Sequence, residues 1–140
     1  MSIRLSTFAA LLATGLLAGT LVSAPRNDAD RFWDAFAQQG ATDLKSTYKE
    51  SPENGLLDQS LEIQLEDGAA NTMMTATVNG RRVGRFRTNG IGDGGINRDR
   101  FGVVPGPDGR PPKSQRINDG DVLRVFGAGT DISATYAERP

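Results

Sequence analysis

Between Met74 and Arg87 local chemistry alone specifies a β-hairpin. Met74-Thr-Ala-Thr-Val78 and Arg81-Arg-Val-Gly-Arg-Phe-Arg87 flank Asn79-Gly80, and this pair tolerates the positive φ that both central residues of a type I′ turn require. A chain with such a hairpin in its middle must supply partner strands. The flanking sequence does so at a period of two. Leu61-Glu-Ile-Gln-Leu-Glu66 alternates cleanly, with Leu61, Ile63 and Leu65 inward and Glu62, Gln64 and Glu66 in water, the pattern of an antiparallel strand with one wet face. Asp67-Gly68 turns the chain. Leu44 to Lys49 alternates weakly and predicts an edge strand; Ile96 to Val104 predicts a strand around Phe101. Val122-Leu-Arg-Val-Phe126 suits a central strand, and Ile132-Ser-Ala-Thr-Tyr136 puts Ile132, Ala134 and Tyr136 on one face. Val83 and Phe86 have opposite parity, which predicts a bulge at Gly84. Asn89 to Gly95 and Pro105 to Pro112 are too rich in Gly and Pro for regular structure.

Six to seven short strands at roughly ten-residue spacing predict a mainly β domain, an antiparallel β-sandwich of immunoglobulin-like or related type. One helix is expected ahead of it. Asn27 or Asp28 offers an N-cap, Gly40 a C-cap, and Phe32 and Phe36 lie four apart with Trp33 beside them. That aromatic face is expected to pack on the sheet, or else to dock a partner through Phe32, Trp33 and Phe36. The expected organisation is a signal peptide over 1–24, an amphipathic helix and linker over 25–43, and the β-sandwich over 44–140.

The N-terminus predicts the address. Arg4 gives a positive start, Phe8 to Val22 is apolar, and Val22-Ser23-Ala24 fits the small-x-small cleavage rule, although Pro25 follows awkwardly. The apolar run falls short of the ~20 residues that span a bilayer, so a cleaved signal is expected in place of a lasting membrane anchor. Leu16-Leu17-Ala18-Gly19 would be a lipobox if a cysteine followed, but position 20 is Thr and the chain has no cysteine. The expectation is a periplasmic or secreted protein of a Gram-negative envelope. Without disulfides, it must be held by an ordinary core.

Charge is balanced overall at −1 but uneven along the chain. From Arg26 to Ala70 there are ten acidic against four basic residues; from Asn71 to Arg124, ten basic against five acidic. The basic half offers a polyanion-binding face, with Arg82, Arg85 and Arg87 of the hairpin as candidate ligand-binding residues. Cross-strand pairing with acidic strands, such as the Glu62/Glu66 face, is the simpler alternative. No Lys/Arg run exceeds two residues, and nucleic acid is not expected as a partner.

Chemistry is bounded by what is missing. With no histidine and no cysteine, the chain cannot build a Ser-His-Asp or Cys-His site, nor the usual zinc, copper or haem sites. No catalytic residue is expected. A hydrolase would need paired carboxylates, for which Glu50, Glu53, Glu62 and Glu66 are the candidates. No cofactor is expected except calcium, for which Asp93, Asn97 and Asp99, or Asp119 with Asp121, supply oxygens. Simple Asx-Gly turns explain the same residues. The glycines from Gly90 to Gly95 lack the Lys-Ser/Thr ending and following helix of a phosphate loop.

From Asn71-Thr72 through Val78-Asn79-Gly80, Val83-Gly84, Thr88-Asn89 and Gly92 to Gly94, the chain resembles a recurrent module of uncharacterised exported bacterial β-sandwich proteins. The resemblance covers region 71–94 only and rests on turn-forming residues. It implies a sandwich and no catalytic residues. The function expected is a non-catalytic binding or structural module of the cell envelope or extracellular space, with a protein or cell-surface polymer as partner. A calcium-dependent adhesion module or a small carboxylate-dependent hydrolase are the alternatives.

Overall fold

A computed structural model describes residues 29–140, so the expected signal segment and the N-cap candidates Asn27 and Asp28 lie outside the described residues. The chain is mainly β. Nine strands are described: β1 (Arg31–Gln39), β2 (Thr42–Glu53), β3 (Leu56–Glu66), β4 (Met73–Val78), β5 (Arg81–Arg87), β6 (Gly94–Val103), β7 (Val122–Gly127), β8 (Thr130–Thr135) and β9 (Ala137–Glu138). A single 3₁₀ turn (Lys113–Gln115) interrupts the loop between β6 and β7. The strands form two antiparallel sheets, one ordered β6-β3-β2-β1-β9 and the other β5-β4-β7-β8.

The hairpin at Asn79-Gly80 is as expected, with φ of 49° and 79° and Val78 paired to Arg81. A second Asn-Gly pair, Asn54-Gly55, makes the same turn between β2 and β3. The bulge in β5 falls one residue earlier than expected. Ala76 faces Gly84 and Thr77 faces Arg82, so Val83 is the extra residue. β7 lies between β4 and β8, as a central strand should.

The expected helix is a strand. Residues 31–39 pair along their whole length with β2. Phe32 and Phe36 share a face at either period, being four apart, and could not discriminate. Trp33, Ala35 and Ala37 decide it: the first two are buried and the third packs against the core, a period of two. Aromatic residues also favour strands over short unsupported helices. Gly40, at φ 61°, with Ala41 closes a two-residue hairpin loop where a helix C-cap was expected. Residues 31–43 therefore belong to the β domain, and β2 lies between β1 and β3 instead of at an edge.

Both sheets contribute to one core. Leu44, Ile63 and Leu65 of the larger sheet meet Met74, Leu123 and Val125 of the smaller, all essentially inaccessible. Burying such a side chain contributes about 1.5–3 kcal/mol each. The inner face of the larger sheet changes character along its strands. Cross-strand rows run Ala37–Leu44–Leu65–Gly94, then Ala35–Ser46–Ile63–Ile96, then Trp33–Tyr48–Leu61–Arg98, then Arg31–Glu50–Gln59–Arg100. One end of the core is apolar and the other is polar.

At the polar end Glu50, 2 % exposed, receives three hydrogen bonds of 2.8–3.2 Å from Arg110. Arg110 also donates to Asn118 Oδ1 and the Ile117 carbonyl, and its guanidinium stacks over Trp33 at 4.4 Å. This clamp fastens the Pro/Gly excursion to the sheet. Arg110→Met is expected to destabilise the domain by about 3–5 kcal/mol, because it leaves a buried carboxylate without its countercharge. Adding Glu50→Leu should recover at least half of that loss, as read by urea unfolding of both variants.

The chain's two tyrosines are both buried. Burial pushes the Tyr48 hydroxyl well above its ordinary value of 10.0 and the Tyr136 hydroxyl up to about 12. Because the fold favours the neutral phenols, their stabilisation is complete below pH 10 and is lost as pH rises past it. Stability should fall from pH 10 to 12, by on the order of 2 kcal/mol for Tyr136. Phenolate absorbance should appear together with loss of the fold; tyrosine ionisation in a still-folded protein would contradict this.

Candidate functional site

The polar end of the inner face opens into a cleft of about 280 Å³ between β3 and β6 on one side and the β4–β5 hairpin with residues 114–117 on the other. Five arginines line it, Arg81, Arg82, Arg98, Arg100 and Arg116, and no carboxylate does. Period two explains their convergence. Ile96, Arg98 and Arg100 take successive positions opposite the inward residues Ile63, Leu61 and Gln59. Ile96 seals the core, while the next two inward positions of β6 hold guanidinium groups beyond its limit. Across the gap, Gly84 leaves room first for Ile96, whose Cδ1 would lie 2.6 Å from a Cβ there, and then for the Arg98 guanidinium, with Nη2 at 3.3 Å. The bulge at Val83 reverses parity, so Arg81 faces Val78 on the inward side and donates to the Ser114 carbonyl.

The floor is a relay of buried hydrogen bonds. Gln59 Nε2 donates to Tyr48 Oη at 2.6 Å and to the Gln115 carbonyl at 2.8 Å, and Tyr48 Oη donates to Glu50 Oε1 at 3.0 Å. Two buried atoms in the lining have no partner: Gln59 Oε1 and Arg116 Nε. Among the described residues, Arg81, Arg82, Arg98 and Arg100 form no ion pair, whereas Arg116 is held by Asp108. The Glu50 charge beneath the floor is already met by Arg110. The cleft is therefore a set of donors facing a gap without countercharge, an arrangement that suits an anion.

The three hairpin arginines expected to bind together are separated. Arg82 lines the cleft; Arg85 and Arg87 are exposed on β5, on the side opposite the buried Gly84 and Phe86. They do not meet Glu62 and Glu66, which belong to the other sheet. Arg98, Arg100 and Arg116 were missed, although the alternation through Ile96 was the signal that would have found the first two. The aromatic trio is also split. Trp33 is 1 % exposed and tilts against Tyr48 at a centroid distance of 5.5 Å, so it is a core residue, not a partner contact. Phe32 lies on the opposite side of β1 with Lys49 and Arg139 over its ring, and Phe36 is 61 % exposed.

The carboxylates are distributed over structural duties. Glu50 is clamped by Arg110; Glu66 pairs with Lys45, and Glu62 accepts from Gln64. Asp93 accepts from the Asp67 amide, Asp119 from the Glu138 amide, and Asp121 from the Asn118 amide and the Asn79 side chain. Among the described residues, no three carboxylates are grouped to hold a metal ion. Two further bridges tie β1 to the segment around β9: Arg31 beside Glu138 and Arg139 beside Asp34 hold both carboxyls below their ordinary values. Comparisons with protein-family models, with curated proteins and with solved structures found no match for this chain.

Proposed function

We propose that this chain is an exported, non-catalytic binding module whose working surface is the arginine-lined cleft and whose ligand is anionic. The two sheets are read as the layers of an antiparallel β-sandwich of broadly immunoglobulin-like kind, which the shared core supports. The observation that carries the reading is the convergence of five arginines on one cleft without a carboxylate among them. Like charges repel, and an assembly of this kind is stabilised when an anion enters it. The same absence leaves the cleft without the paired carboxylates that the hydrolase alternative requires. The address follows from the N-terminal sequence, and a periplasmic or secreted module would meet acidic polymers of the cell surface.

The test is retention on immobilised dextran sulfate. The protein should be held at low salt and released as salt rises. Replacing Arg98 and Arg100 by alanine should move release to much lower salt. Replacing Arg85 and Arg87 by alanine removes the same charge from another face and should leave release nearly unchanged. Equal shifts in the two double variants would place binding in net charge, not in the cleft.

A further inference from the structure

Resting on that reading, we infer that the cleft selects an anion that carries hydroxyl groups, the chemistry of an acidic sugar. The arginines are donors only, so they account for the anionic part. Gln59 asks for something else. Its amide orientation follows from its neighbours: both Nε2 hydrogens are spent, on Tyr48 Oη and on the Gln115 carbonyl, and Tyr48 gives its own hydrogen to Glu50. Gln59 Oε1 is then the unpartnered atom, itself buried in the wall of the cleft on a side chain that is 5 % exposed. A buried acceptor in this state carries an uncompensated desolvation cost, which a ligand recovers only by bringing a donor. Arg116 Nε is the complementary case, a donor without an acceptor on a side chain 10 % exposed, its Nη1 already committed to Asp108 and Pro111.

The lining therefore offers one bare acceptor and one bare donor within a field of guanidinium groups. Sulfate and an isolated carboxylate satisfy the donors and leave Gln59 Oε1 empty-handed. A neutral sugar satisfies Gln59 and ignores the arginines. A molecule with both groups answers the whole lining, and the volume of about 280 Å³ lies just below the usual range for ligand sites, which favours one residue or chain end.

Isothermal titration of the purified protein with four probes separates these requirements. Glucuronate and glucose 6-phosphate should both bind, at least about tenfold more tightly than sulfate, and glucose should not bind measurably. Replacing Arg98 and Arg100, whose side chains are exposed, by alanine should abolish binding of both sugar anions. Sulfate matching glucuronate would overturn the hydroxyl requirement while leaving an anion site. Glucose matching glucuronate would overturn the anionic requirement. Binding of glucuronate alone would restrict the ligand to carboxylated sugars, within the inference. If no anion bound, the reading beneath it would fall as well.

Discussion

Glu50 occupies an inward position of β2, where the strand would otherwise extend the apolar core. Its charge is tolerable there because Arg110 reaches in from sixty residues downstream and bonds it through a planar fork. Much else hangs on this pair. Arg110 covers one side of Trp33 while Arg31 lies over the ring at 4.8 Å, and Glu50 orients Tyr48, which in turn orients Gln59. The loop that carries Arg110 also delivers Ile117 to the core and Arg116 to the cleft. A buried pair of this kind adds little net stability over an apolar equivalent. Its contribution is to specify where a loop rich in Pro and Gly must lie.

The cleft is the other side of the same arrangement. As the rows of the larger sheet pass from Leu44 and Leu65 to Glu50 and Gln59, the core has to end, and it ends in polar groups instead of open water. Inward charges on β6, an edge strand, also hinder edge-to-edge association. That protective role and ligand binding are compatible, since both depend on guanidinium groups that no carboxylate neutralises. Gln59 separates them, because edge protection has no use for a buried carbonyl oxygen without a partner.

The β class, most of the strands and the Asn79 hairpin were legible because they depend on local chemistry: alternation, and residues that accept positive φ. Asn54-Gly55 carried the same information and went unused. β1 was misassigned because a Phe pair four apart satisfies both periods, and the answer lay in its pairing with β2, a tertiary fact. The site was legible in class, as basic residues of the second half, but not in membership. Arg82, Arg85 and Arg87 all pair with the side of β4 opposite Met74, Ala76 and Val78, and of the three it is Arg82, next to the one-residue bulge, that lines the cleft. Nothing local links Glu50 to Arg110, or Gln59 to Gln115. Those contacts exist only after the long loop folds back.

β9 lies antiparallel on β1, with Trp33 opposite Glu138 and the Arg139 amide bonded to the Phe32 carbonyl. Residues 31 and 139 therefore leave this pair at the same end. Tension applied between them would open the hydrogen bonds one after another, as a zipper opens, instead of loading the whole ladder in shear. The ion pairs Arg31–Glu138 and Arg139–Asp34 would yield in the same sequence. A domain hung this way transmits little force along its own chain.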